Sequence, residues 1–192
     1  MPCLISVGSL LNCDALPVGG VSNFVLLYNY SEWRTMVDTG KVTVVAEIVT
    51  DIDNSVGVKA YRFDVPDETA LVLGSPNRIV AGGIDGFDHT VNFSILGTKH
   101  AQKSILRAIN FEKCVAVVYK KNGTGEIYGS EQGLKLTTNT YAPNSPVTGS
   151  VIPVQLITSP DTAPENNMPP DIFITDVATT KALILGLTVV GV

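Results

Sequence analysis

The sequence has few charged residues and few of the residue types that perform chemistry. Only 16% of its 192 residues are Asp, Glu, Lys or Arg, whereas roughly 25% is usual in soluble domains. The chain contains two histidines, three cysteines and one tryptophan, yet 45% of its residues are hydrophobic. This excess of apolar over charged residues predicts burial of surface beyond a single core, for example against copies of the same chain.

Basic clusters are also missing. The net charge is −5, and no run of Lys and Arg extends beyond Lys120-Lys121. Tight binding to a nucleic acid backbone requires several phosphate contacts from basic side chains. The composition therefore argues against a surface that grips nucleic acid, although an acidic protein can still surround DNA without holding it.

Signals for secretion and for membrane insertion are absent from the pattern. The start lacks the basic and apolar regions of a signal peptide. Residues 182–192 are apolar but number only eleven, and a bilayer span requires about 20. Cys3, Cys13 and Cys114 form no CxxC pair, which is typical of reduced thiols in a cytosolic assembly.

Catalytic and metal-binding motifs are lacking as well. His89 falls on the apolar face of a predicted strand and His100 at a predicted helix start, without nearby clusters of Cys, His or carboxylates. The chain has no nucleophile elbow, P-loop or HExxH motif. We expect structural roles for both histidines, no catalytic residue, no cofactor and no metal.

What the sequence does contain is β-strand pattern with one helical interruption. Strands are predicted over residues 41–49, 58–63, 68–73, 87–96, 114–119, 126–128, 134–141 and 151–157. Helical spacing of apolar residues predicts a helix over residues 98–110, capped by Thr98. This order predicts a mainly β fold, either a β-sandwich or a partly closed barrel, with that helix packed outside.

Composition also predicts three regions. Residues 1–158 form the β domain, with a long mobile loop over residues 73–86 that is rich in glycine and proline. Residues 159–171 read as a proline-rich linker, and residues 172–192 as an apolar arm. We expect this arm to dock, as an added strand, on a neighbouring subunit or partner protein, through residues that include Phe173, Ile174, Leu183, Leu185 and Leu187. Truncation after Thr158 should then leave a folded chain that assembles poorly.

The order of motifs resembles one protein family. Leu11-Asn12-Cys13-Asp14 followed by Gly19-Gly20-Val21 is similar to the start of the tail tube proteins of phages and prophages of Bacteroidetes. The strand over residues 87–96, the helix, the valine-rich strand over residues 115–120, Tyr128-Gly129 and the block over residues 133–137 follow the same plan. The resemblance covers roughly residues 11–158.

This resemblance implies a structural function. Such proteins form ring homo-oligomers, commonly hexamers, that stack into a tube, contact other tail or head–tail proteins and let DNA pass as cargo. The protein would be assembled in the host bacterial cytoplasm and found in the virion. The loop contacting the next subunit would contain Gly74, Ser75, Pro76, Arg78, Gly82 and Gly83, and the channel would be lined by Asp88, Thr90, Asn92 and Ser94 on the polar face of their strand.

Three other functions remain open on the sequence. A head–tail connector ring has the same fold and would form a single closed ring instead of a long polymer. A carbohydrate-binding β-sandwich would need aromatic residues along one exposed face, and Trp33 with six scattered tyrosines supports this poorly. An enzyme on a β scaffold is disfavoured, because the sequence contains none of the catalytic motifs named above.

Overall fold

The computed structural model of the chain describes residues 21–53, 58–64, 73–81, 84–96, 100–138, 151–158 and 164–189. These residues form twelve strands and three helices. The strands are β1 (Val21–Asn29), β2 (Val42–Val45), β3 (Ile48–Ile52), β4 (Ala60–Asp64), β5 (Leu73–Ala81), β6 (Ile84–Leu96), β7 (Cys114–Lys120), β8 (Gly125–Tyr128), β9 (Leu134–Thr138), β10 (Val151–Thr158), β11 (Asp171–Ile172) and β12 (Thr188–Val189). The helices are α1 (Tyr30–Asp38), α2 (His100–Phe111) and α3 (Val177–Gly186).

The predicted fold class is confirmed: the chain is mainly β and sandwich-like. One part of the sheet has the order β4-β1-β7-β8-β11-β3-β2, and the other has the order β9-β10-β6-β5. The two parts are joined where Cys114 of β7 pairs with Leu134 of β9. Most neighbours are antiparallel, but β11 runs parallel to β3 and β12 parallel to β4.

Two apolar cores lie on opposite faces of the central strands β1 and β7. Leu26 and Val117 face a core that also contains Trp33 of α1, which we call the helix-side core. Val25 and Val118 face the sandwich core, which lies against β6, β9 and β10. Because β7 is covered on both faces, its sequence is an unbroken apolar run instead of an alternating one.

The predicted helix is confirmed as α2. Its buried Leu106 and half-buried Ile109 pack on the sandwich core, as the helical spacing indicates. The prediction of a single helix was incomplete, because α1 and α3 were not expected. Trp33 and Met36 of α1 are buried in the helix-side core.

Residues 41–49 form a hairpin instead of one strand. The chain reverses at Ala46 and Glu47, whose φ angles are 50° and 66°, so that Val45 of β2 pairs with Ile48 of β3. This is the left-handed geometry of a two-residue hairpin turn, which usually selects Asn and Gly. The absence of those residues hid the turn from the sequence pattern.

The prediction that residues 73–86 form a mobile loop is wrong. Leu73–Ala81 is strand β5, which pairs with β6 from Leu73 opposite Asn92 to Ala81 opposite Ile84. Gly74 and Pro76 suggested a loop, but both are accommodated because β5 lies at the end of the sheet, where proline is tolerated.

Within residues 164–189, the predictions of a linker and of an arm that docks on another subunit are also wrong. Ile172 of β11 pairs with Val49 of β3 on one side and Gly125 of β8 on the other. Beyond it, α3 places Ile184 in the helix-side core, where Leu187 is also buried. The segment therefore packs on its own chain, because its apolar residues complete a core that would otherwise be open to water.

Candidate functional site

The polar face of β6 lies where the alternating pattern predicted. Its side chains are all half-buried: Asp88, Thr90, Asn92 and Ser94. The intervening residues Val91, Phe93 and Ile95 are buried in the sandwich core. The four polar side chains therefore point away from that core. Burial raises the pKa of the Asp88 carboxyl above its usual value.

Neighbouring strands extend this polar face. Asn92 is opposite Gln155 of β10, and Thr90 is opposite Ile157, which in turn is opposite Lys135 of β9. Directly opposed residues of antiparallel strands share a face. Asp88 therefore lies on a face that also includes the amine of Lys135, so the surface is polar and mixed in charge, not purely acidic.

The β5–β6 hairpin projects beyond the rest of the sheet. β10 pairs with β6 only from Thr90 to Leu96, so residues 84–89 extend past it. In the described part of the chain, no strand pairs with the outer edge of β5. Of the six residues predicted to contact another subunit, Arg78 is exposed, Pro76 is half-buried, and Gly74 and Ser75 are within β5; Gly82 and Gly83 lie outside the described residues.

Residues 164–167, which we call the strap, hold the base of this hairpin. The backbone N–H and C=O of Glu165 pair with those of Phe87 at 3.0 and 2.8 Å. Pro164 crosses so close to β6 that a Cβ added at Gly86 would lie 2.7 Å from Pro164 Cγ. The hairpin therefore emerges from a fixed base.

His89 connects the strap to the β8–β9 turn. Its Nδ1 accepts a hydrogen bond from the Gly129 N–H at 3.1 Å, so Nε2 carries the proton and donates to the Asn167 carbonyl at 3.1 Å. Burial lowers the pKa of His89 from 6.5 to about 4, against smaller opposing effects from the hydrogen bond to Asn167 and from the charges of Glu131 and Glu126. A neutral histidine with both nitrogens occupied has a structural role, as its position on the apolar face indicated.

Glu165 is a buried carboxylate that the sequence pattern did not reveal. Its two oxygens accept the backbone N–H groups of Glu131 and Gln132, each at 2.9 Å. Burial raises the pKa of Glu165 despite these bonds. The strap is tied from the other side as well, because the Glu131 carboxylate accepts the N–H of Asn166 at 3.0 Å. In sequence, Glu165 sits among prolines, and nothing there marks it as buried.

The five arm residues lie on the chain's own fold. Leu187 is buried, whereas Phe173, Ile174 and Leu183 are half-buried. Leu185 is 39% exposed. The structure thus brings Leu183 and Leu187 to the helix-side core.

No group of three or more potential metal ligands occurs within the described residues. Cys114 is a buried free thiol, and burial raises its pKa to about 12. Across the same part of the chain, no helix has the length and apolar character needed to cross a membrane. Cys3 and Cys13 lie outside the described residues.

Comparisons with known proteins identified no relative: no family model, no curated protein and no solved structure matches this chain.

Proposed function

We propose that this protein is a virion structural subunit whose rings stack into a phage tail tube through which DNA passes. The observation that carries the proposal is the β5–β6 hairpin, which extends beyond β10 from a base fixed by the strap. An isolated two-stranded hairpin is marginally stable in water. Contact with a neighbouring subunit or ring would add burial to the part of the hairpin that extends past β10.

The open strand edges support the same proposal. β2 and β5 lie at the two ends of the strand path. Exposed edges promote pairing with other chains unless they are covered. A subunit that assembles into rings covers such edges with copies of itself, and the partners we propose are therefore other copies and the adjoining tail or head–tail proteins.

The polar face of β6 supports a channel lining. Asp88, Thr90, Asn92 and Ser94 lie opposite the sandwich core and outside its apolar contacts. This face carries the Asp88 carboxylate, neutral polar groups and the one amine of Lys135, so it offers DNA phosphates few basic groups to bind. DNA is then cargo that passes, and not a ligand.

Electron microscopy of the purified protein tests the proposal. Tubes of stacked rings are the expected result, whereas a single closed ring would assign the connector function instead. Particles that show neither, together with a monomer at high concentration in sedimentation, would contradict both.

A shortened hairpin tests the role of β5–β6. Replacing residues 80–85 with Asn-Gly keeps Ile79 opposite Gly86 and provides a favourable two-residue turn. We expect a thermal midpoint close to that of the natural chain but no stacking of rings. Normal stacking by this variant would show that the β5–β6 hairpin is not required for contacts between rings.

The carbohydrate-binding alternative receives no support from the exposed aromatics. Among the described residues, Tyr61 of β4 and Phe111 of α2 are the large aromatic side chains with high exposure. They belong to different elements and form no row along one face.

A further inference from the structure

The tip of the β2–β3 hairpin is an exposed apolar patch with an acidic residue. Val44, Val45 and Ile48 are 53%, 58% and 38% exposed. Successive strand residues point to opposite faces, so exposure of both Val44 and Val45 means that the tip is uncovered on both sides. Glu47, at the turn, is exposed and forms no ion pair within the described chain. We call these residues the acidic tip.

The outer face of α2 is a second apolar patch, with a basic residue. Ile105, Ala108 and Phe111 are exposed and recur every three residues, which places them along one side of the helix. Phe111 is 72% exposed. The guanidinium of Arg107 lies 5.9 Å from the centre of the Phe111 ring. We call these residues the basic stripe.

The two patches belong to opposite sides of the molecule. Val42 and Val49, at the base of the β2–β3 hairpin, pack in the helix-side core, whereas Leu106 of α2 packs in the sandwich core. Those cores lie on opposite faces of β1 and β7. The acidic tip therefore does not meet the basic stripe of its own chain.

We propose that the acidic tip of one copy docks on the basic stripe of the next copy. The apolar residues of each patch would then be covered, and the Glu47 carboxylate would meet the Arg107 guanidinium. Because the contact joins two different surfaces on opposite sides, it repeats from copy to copy and generates a ring or a filament. This inference rests on the proposed function, and it names an interface for the assembly.

Charge reversal tests the contact between copies. Glu47→Arg alone and Arg107→Glu alone each place like charges together, and we expect each variant to lose about tenfold or more in association constant by sedimentation velocity. The double variant restores opposite charges and should associate like the natural chain. Mixing the two single variants should also restore association, because each tip then meets a complementary stripe on the other variant.

Restoration by mixing is decisive, because neither a folding defect nor an effect within one chain would produce it. Lys121→Glu reverses an exposed charge outside both patches and should leave association unchanged. If the natural chain assembles but neither the mixture nor the double variant regains association, this interface is wrong while the proposed function stands. If the natural chain remains monomeric, both fail. Thermal unfolding of each variant verifies that the single changes leave the fold intact.

Discussion

At the scale of single residues, His89 joins three parts of the chain, because its side chain links β6 to the strap and to the β8–β9 turn. Alternation along β6 put it on the buried face, and the structure confirms that position. Its hydrogen bonds go to the backbone of Gly129 and Asn167. Backbone groups are the same at every residue, so no sequence pattern identifies them as partners. Glu165 was missed for the same reason.

His89 should make stability depend on pH. Its pKa is lowered from 6.5 to about 4 in the folded chain, so the folded state binds its proton less tightly than the unfolded state. Its contribution is complete above pH 6.5 and is lost as pH falls towards 4, by up to about 3 kcal/mol. Urea unfolding of His89→Gln across this range should show a flatter dependence than the natural chain.

His100→Gln is the matched control for this measurement, because it removes a histidine and keeps His89. Glu165 acts in the opposite direction, because its raised pKa favours the folded state as pH falls. Glu165 is present in all three proteins, so the difference between them isolates His89. Equal slopes for His89→Gln and the natural chain would show that His89 is not the titrating group.

Two glycines have left-handed backbone, and only one of them is closely packed. Substituting each by alanine therefore distinguishes the loss of stability due to backbone conformation from the loss due to steric overlap. Gly40 has φ +71° with no atom within 4 Å of an added Cβ, whereas at Gly123, with φ +93°, that Cβ would lie 2.3 Å from the Val177 side chain of α3. Gly40→Ala should lose about 1–2 kcal/mol of unfolding free energy. Gly123→Ala should lose about 1–3 kcal/mol more through overlap.

Chemical denaturation of both glycine variants measures these losses. Adding Val177→Ala to Gly123→Ala should recover the part due to overlap, because it removes the methyl groups that the new Cβ would meet. Equal losses at the two glycines would mean that α3 does not pack on the β7–β8 turn.

At the scale of elements, strands with clear alternation were predictable, and elements that depend on distant packing were not. β6, β7 and α2 follow from their own patterns. α3 contains Gly186 and precedes the β-branched Thr188 and Val189, which favoured a strand by propensity. Its start is nevertheless fixed by a local signal, because the Asp176 carboxylate accepts the Thr179 N–H at 2.8 Å. The apolar spacing of Trp33 and Met36 in α1 could also have been found.

Destabilising β11 should also destabilise the strands attached through it. Ile172 is fully buried, and its strand lies between β3 and β8. Ile172→Ala should lose about 2–5 kcal/mol of stability. Hydrogen exchange should then show lost protection in β2 and β3, while β6 and β10 keep theirs. Phe173→Ala, at a half-buried neighbour, is the control and should have a smaller effect. Uniform loss of protection throughout the chain would contradict this local attachment.

At the scale of the whole molecule, the sequence predicted the fold class and the central strand β7, but it predicted neither the other central strand, β1, nor how the chain is completed. The apolar content of residues 172–192 was predicted to make contacts with another subunit. In the structure, β11 lies between β3 and β8 of its own sheet, and the sequence pattern does not show that this position is available. The division into a β domain, a linker and an arm failed for that reason.

Truncation after Thr158 should therefore prevent cooperative folding. The shortened chain loses Ile172, Ile184 and Leu187 from the helix-side core, together with the strap on β6. Circular dichroism during urea titration should show no sharp transition. A sharp transition with strand signal retained would support the sequence-based expectation of an independent β domain.

The proposed channel lining can be tested in the assembled particle. Asp88→Lys in every subunit should leave assembly intact but slow DNA ejection, because each subunit would then present a second amine, beside Lys135, to the phosphates. Asp38→Lys, at the exposed end of α1, makes the same charge change away from this face and from the β2–β3 hairpin. Equal ejection rates for the two variants would exclude Asp88 from the channel.

The position of β11 also has a consequence for synthesis on the ribosome. Ile48 and Val49 emerge early, yet their partners Asp171 and Ile172 emerge near the end of the described chain. Pairings between such distant residues slow folding, and unpaired strands on a nascent chain are prone to aggregation. Until β11 has been synthesised, β3 has no strand to pair with on the side that faces β8. A chain still attached to the ribosome should therefore be more accessible to chaperones or proteases than the same chain after release.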